Sequence, residues 1–188
     1  MSNLEIVAVL LGLANVGLLV RRSIWNYPFG LAMVSLYAII FFEARLYSEA
    51  GLQLFFFVVQ IYGWVLWYRH GGQQAPVAVN WMSARERVIW GAGTAVLSLS
   101  LGWIMHRFTN AALPFADSAV AGASIAAQFL LSFRRIENWI LWIAIDVVSI
   151  GLYINRELLL TAGLYVVLLG LSVLGLREWI AASRKAAV

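Results

Sequence analysis

A carboxylate stands in the middle of an apolar run, Asp146 in Trp142-Ile143-Ala144-Ile145-Asp146-Val147-Val148-Ser149. At the centre of a membrane helix an ionised side chain costs about 2.5–3.5 kcal/mol on insertion scales, so it persists where a ligand or a polar partner offsets that cost. Asn138, Trp142, Asp146, Ser149 and Tyr153 follow one another at steps of four, four, three and four, which sets them on one helical stripe. An acid, an amide, a hydroxyl and aromatic faces on one stripe suit an aqueous cavity or a ligand. The alternative is that Asp146 is protonated, or bonded to another helix, and locks packing.

A second stripe comprises Gln53, Phe57, Gln60, Trp64 and Trp67. A buried glutamine donates and accepts at once, so Gln60 can fix a hydroxyl or amide on a ligand while Trp64 stacks on a ring. The plainer reading is an interhelical hydrogen bond, with the tryptophans as an interfacial belt, and for Trp67 the belt is preferred. Gln128 with Ser124, and Asn15, are further polar candidates inside apolar runs. Tyr37 aligns with Ser149 in the internal repeat described below. Asn26 and Asn138 begin their helices and suit caps, Asn138 combining that role with a ligand contact.

The elements that must position these residues are membrane spans. Of 188 residues 63% are hydrophobic and 12% charged, with mean hydropathy +0.85, too apolar for a soluble domain of this size. The lipid bilayer is the expected surrounding. Seven apolar runs predict helices at 4–20, 27–42, 50–68, 88–105, 116–133, 137–154 and 158–176. Pro28 falls in the first turn of the second, where a missing N–H costs little. The N-terminus lacks the positive region of a cleavable signal, so the first run is expected to remain as a helix.

Ten of the 13 basic residues fall on one side of these spans: Arg21, Arg22, Arg69, Arg85, Arg87, Arg134, Arg135, Arg177, Arg184 and Lys185. Arg45, Arg107 and Arg156 fall on the other. The positive-inside rule then places the C-terminus in the cytoplasm and the N-terminus outside.

Sliding the chain against itself by 112 positions sets Asn26 on Asn138, Ala50-Gly51-Leu52 on Ala162-Gly163-Leu164, Gly63 on Gly175 and Trp67 on Trp179. That is a duplicated membrane unit. With three helices in each copy and one inverting helix connecting them, both copies insert in the same direction, a plan that in transporters places a substrate site near the midplane between the repeats. The expected organisation is a first three-helix bundle over 1–70, a cytoplasmic loop and linker helix over 71–112, a second bundle over 113–180 and a cytoplasmic tail over 181–188. The linker proper is Gly71 to Asn80, with its Gly-Gly-Gln-Gln and Pro76.

Other function classes find no residues. There is no cysteine, and His70 and His106 sit near helix ends, so no disulfide framework, metal site or haem is expected and no cofactor is implied. The pI near 9.8 does not indicate nucleic acid, because the basic residues border apolar runs and form no patch with exposed aromatics. Neither a phosphate loop nor a Ser-His-Asp set is present, so an enzyme is not expected. Gly163, Gly170 and Gly175 permit close helix approach within one chain or in a homo-oligomer.

Four segments carry a family likeness: Trp25-Asn26-Tyr27-Pro28-Phe29-Gly30, Gln60-Ile61-Tyr62-Gly63-Trp64 with Trp67, Pro114-Phe115-Ala116-Asp117-Ser118, and Glu137-Asn138-Trp139-Ile140-Leu141-Trp142. In this order they resemble the hallmarks of the PnuC family of bacterial vitamin transporters, over about residues 5 to 180. The resemblance implies an all-α integral membrane fold of seven transmembrane helices, two parallel three-helix bundles joined by a linker helix, similar to the SWEET sugar transporters with a different helix order within each bundle. It also implies facilitated diffusion of nicotinamide riboside across the bacterial inner membrane, with a cytoplasmic kinase trapping the product. Gln60, Trp64, Asn138 and Trp142 match the family's ligand-holding positions.

Relatives that prefer thiamine, riboflavin or deoxynucleosides share the scaffold. Some members resembling this chain carry asparagine where it has Asp146 and Gln60. A carboxylate in a cavity favours a fixed cation, which nicotinamide riboside and thiamine carry and riboflavin does not. Nicotinamide riboside is the first expectation and thiamine the second. Two other classes stay open, a non-transporting membrane scaffold and proton-coupled transport through Asp146.

Overall fold

In lipid a backbone N–H or C=O finds no water, so each long apolar run closes its hydrogen bonds within itself as a helix. The computed structural model describes residues 3–43, 47–70, 76–109, 113–155 and 159–185. They form α1 (Asn3–Val20), α2 (Asn26–Glu43), α3 (Tyr47–Arg69), α4 (Ala84–Phe108), α5 (Pro114–Ser132), α6 (Glu137–Asn155) and α7 (Leu159–Lys185). Six of these are long and apolar enough to cross a membrane, and α1 is a shorter apolar helix. Among the described residues there is no strand; Asn80 and Arg135 form one isolated bridge. Arg45 and Arg156, and residues 71–75 of the expected linker, lie outside the described residues.

All seven expected helices are present, and two run further than their apolar cores. α4 begins at Ala84 because Ser83 caps it: the Ser83 hydroxyl accepts from the Glu86 N–H and the Glu86 carboxylate accepts from the Ser83 N–H, at 3.3 and 2.7 Å. This capping box draws the charged turn Arg85-Glu86-Arg87 into the helix. α7 continues past 176 to Lys185, so much of the expected tail is helical. Arg184 and Lys185 lie in its last turn, where cations meet the negative end of the helix dipole.

The described chain falls into two compact units, Met1–Val79 with Ser132–Arg134 and Arg177–Val188, and Asn80–Leu131 with Arg135–Leu176. In the first, α1 packs on α2 and α2 on α3. Its core includes Tyr27, Val34, Trp67 and Trp179, with the Trp179 Nε1–H donating to the Leu19 carbonyl at 3.2 Å. Trp67, expected in an interfacial belt, is fully buried and meets Tyr27 edge-on at 5.4 Å. The indole is enclosed by its own unit, which a window of sequence does not reveal. In the second unit α4 buries Gly102 and turns Val88, Val96, Leu99 and Trp103 outward.

The duplication repeats at atomic resolution. α1 ends on Arg22 in the left-handed region (φ 56), with Ser23 N–H donating to Leu18 O at 3.0 Å and Arg22 N–H to Leu19 O at 2.8 Å. This is a Schellman ending with arginine where glycine is usual. α5 ends the same way: Arg134 has φ 59, and Arg135 N–H donates to Leu130 O at 2.8 Å. Next, Asn26 Nδ2 donates to Ser23 O at 2.7 Å and Asn138 Nδ2 to Arg135 O at 2.6 Å, so both asparagines brace the turns entering their helices. Leu18, Arg22, Ser23 and Asn26 are each 112 positions from Leu130, Arg134, Arg135 and Asn138.

Candidate functional site

The first unit gathers two amide side chains where α2 has no side chain. A Cβ on Gly30 would overlap Gln60 Oε1 and lie 2.7 Å from Asn15 Nδ2, so glycine here lets both amides approach the α2 backbone. Asn15 Nδ2 donates to the Asn26 carbonyl at 2.7 Å. Gln60 is buried, and thus the expected residues Asn15 and Gln60 converge from α1 and α3 on one point of α2. Close by in sequence, the half-buried Trp64 lies parallel to Tyr27, centroids 6.5 Å apart and planes within 7°. The Tyr27 hydroxyl is buried with no hydrogen-bond partner among the described residues, and approaches Gly63 closely enough that a Cβ there would meet it at 2.7 Å. Tyr37 stands apart, half-buried and stacked on Phe41 at 5.6 Å.

The second unit places the acid. Asp146 is 3% exposed and accepts from the Ser172 hydroxyl of α7 at 2.9 Å. Ser149, 2% exposed on the same stripe, is hydrogen-bonded to Tyr165, whose ring lies 5.2 Å from that of Tyr153. Asp146, Ser149 and Tyr153 therefore share a polar seam with α7. Asn138 is fully buried; its Nδ2 donates to the Arg135 carbonyl, while its Oδ1, which an N-cap would use to accept, has no partner among the described residues, so the expected cap is replaced by a brace on the preceding turn. Such a buried acceptor is rare in folded proteins and invites a ligand or water donor. Trp142 is half-buried and Gln128 buried.

At the basic end of the second unit, Glu137 is buried and holds a junction that the sequence did not announce. Its carboxylate accepts from the Met82 N–H through both oxygens, at 3.0 and 3.1 Å, and from Arg87 Nε at 2.9 Å. Arg135 pairs with Glu86 at 2.6 Å, and Arg87 lies 5.6 Å from the Trp81 ring centre. Arginines that read as topology signals also tie the start of α4 to the turn before α6.

Ser172, which meets Asp146, and Gly30, which meets Gln60, are the neighbours of candidate residues missed by inspection of polar stripes. The repeat register contained the signal: the 112 shift sets Ser172 on Gln60 and Trp142 on Gly30. Gly163 and Gly170 border open space, whereas Gly175 is pressed against the Trp139 ring just as Gly63 is against Tyr27.

The family model described as nicotinamide mononucleotide transporter matches residues 2–181. The nicotinamide riboside transporter PnuC of Escherichia coli (strain K12) is 31% identical, over 98% of this chain and 88% of its own length. The riboflavin/roseoflavin transporter RibM of Streptomyces davaonensis is 26% identical, over 96% of this chain and 86% of its own. Among solved structures, one titled as the crystal structure of the vitamin B3 transporter PnuC superposes with a TM-score of 0.80 at 29% identity, covering 97% of this chain and 82% of the other.

Proposed function

We propose, from the premise that this chain belongs to the PnuC family of multi-pass membrane transporters, that it carries nicotinamide riboside across the bacterial inner membrane by facilitated diffusion. The observation that carries the substrate class is the buried carboxylate of Asp146 midway along a membrane-length helix. A fixed pyridinium offsets its charge where water is scarce, and a neutral ring does not. The relatives named for nicotinamide riboside and the one named for riboflavin share the scaffold, so the choice rests on side chains.

The proposed ligand contacts are Gln60 and Asn138 to polar substituents, Trp64 and Trp142 to the ring face, and Asp146 to the cation, with Asn15, Tyr37, Gln128 and Ser149 completing the polar lining. The proposed architecture is the three-plus-one-plus-three plan, N-terminus periplasmic and C-terminus cytoplasmic, with a cytoplasmic kinase trapping the vitamin. No paired intramembrane carboxylate supports ion coupling, so the proposed mode is uniport. Thiamine, also a fixed cation, is the second reading on the same carboxylate.

Calorimetry of the purified protein against nicotinamide riboside, thiamine and riboflavin tests this. The expected order is nicotinamide riboside tightest, thiamine next and riboflavin absent. Tight riboflavin binding overturns the charge argument. Absence of saturable binding to any of the three supports a non-transporting scaffold instead. Uptake into liposomes that responds to an imposed pH gradient would replace uniport with proton coupling.

A further inference from the structure

We infer that Ser172 is the residue that makes Asp146 charge-selective, so that the two copies of the duplicated unit have diverged into an amide half and a carboxylate half. This deepens the proposed transport of a cationic vitamin and rests on it. The argument starts from register. Positions 60 and 172 are counterparts under the 112 shift, as are 30 and 142, and 34 and 146. Both third-helix positions are buried and polar, Gln60 at 6% and Ser172 at 4% exposure. Each reaches the second helix of its own copy, but for opposite ends.

In the first unit the long Gln60 side chain lies over the bare backbone of Gly30, and the neighbouring counterpart of the acid is Val34, wholly apolar. In the second, Trp142 occupies the glycine position, the third-helix residue has shrunk to serine, and the valine position holds Asp146. The Ser172 hydroxyl donates to Asp146 Oδ2, and not to Oδ1, at 2.9 Å. A donated hydrogen bond favours the ionised carboxylate over the neutral acid and fixes the rotamer of its free oxygen. Without that donor a buried acid lowers its cost by taking up a proton, and a neutral acid no longer distinguishes a cation from a neutral ring. Ser172 is thus a positioning residue, acting on the substrate through Asp146.

The test compares nicotinamide riboside with its reduced 1,4-dihydro form, which keeps the amide and ribose but has a neutral ring. Both are titrated against wild type, Ser172→Ala, Ser172→Thr, Asp146→Asn and the Ser172→Ala/Asp146→Asn double variant. A hydrogen bond to a charged group is worth about 1.5–3 kcal/mol, so Ser172→Ala is expected to reduce the cation-to-neutral affinity ratio about tenfold or more. Ser172→Thr, which keeps the hydroxyl, restores it, and the double variant selects no worse than Asp146→Asn alone. Equal loss for both ligands in Ser172→Ala, or additive losses in the double variant, overturns the role of Ser172. Wild type that binds neither ligand fails the transport reading instead, and a folded Ser172→Thr guards against simple misfolding.

Discussion

Replacing Gly30 with alanine tests the amide cluster most directly. The added methyl would lie 2.7 Å from Asn15 Nδ2 and overlap Gln60 Oε1, whereas comfortable contact begins near ~3.5 Å. Both amides must withdraw. Overpacking of this kind costs about 1–3 kcal/mol, and weakening the Asn15 bond to the Asn26 carbonyl adds about 1 kcal/mol. Alanine recovers about 1 kcal/mol of helix propensity, leaving a net loss of about 1–3 kcal/mol. At about 2–4 °C per kcal/mol for a chain of this size, the melting temperature in detergent falls by roughly 2–12 °C. Gly17→Ala and Gly51→Ala are the matched controls, because no atom lies within 4 Å of the new methyl at either site; they are expected to be neutral or slightly stabilising. Affinity for nicotinamide riboside should fall at least tenfold in Gly30→Ala, since Gln60 is turned aside. Gly30→Ala/Gln60→Ala removes the overlap with Gln60 but keeps the close approach to Asn15 Nδ2, so it should recover only part of the stability and none of the affinity. Wild-type melting and affinity in Gly30→Ala would refute the placement of Gln60 over Gly30 and, with it, the reading of Gly30 as a space left for a ligand-holding amide.

Three further outcomes follow from the geometry. Asp146→Asn should weaken nicotinamide riboside and thiamine by at least tenfold relative to a neutral analogue, read by calorimetry; equal losses would remove the charge argument. Glu137→Ala strands the Met82 N–H and the partly exposed Arg87, which should cost about 2 kcal/mol and lower the melting temperature by several degrees, whereas Arg87→Ala should cost less because it leaves the backbone donor in place. With no native cysteine, His70→Cys and Thr109→Cys can be labelled in whole cells by a membrane-impermeant maleimide. Only Thr109→Cys should react before lysis, and the reverse pattern would invert the proposed orientation.

Helices were legible because apolar periodicity and charged breaks are properties of short windows, and the seven runs recover the seven elements. Their ends were less so. α4 and α7 extend into charged turns, since a capping box and a helix dipole stabilise residues that hydropathy alone assigns to water. Asp146 stood out because an acid in lipid needs a reason, yet its partner Ser172 did not, because a serine in an apolar helix draws no attention until the fold brings it to 2.9 Å. Trp67 failed as a belt residue for a related reason: aromatic residues near span ends serve interfaces and cores alike, and only the packing around Tyr27 and Trp179 separates the two.

The repeat explains which positions were free to change. Arg22 and Arg134, Asn26 and Asn138, Gly63 and Gly175, and Trp67 and Trp179 have stayed alike, and each answers to the backbone or to close packing: a left-handed turn, an amide N–H donated to a carbonyl of the preceding turn, a helix surface with no room for a methyl, a buried indole. Changing one copy at such a position costs stability whatever the substrate. Gly30 and Trp142, Val34 and Asp146, Tyr37 and Ser149, and Gln60 and Ser172 have all separated. These lie on the second and third helices of each copy, where the proposed ligand contacts are. A duplicated scaffold that bound a symmetric ligand would have no cause to split there. The proposed vitamin, with its fixed cation, gives the copy that holds the acid one, and Asp146→Val should leave a folded protein that has lost affinity for nicotinamide riboside. Retained affinity in that variant would mean that divergence of the copies followed packing alone.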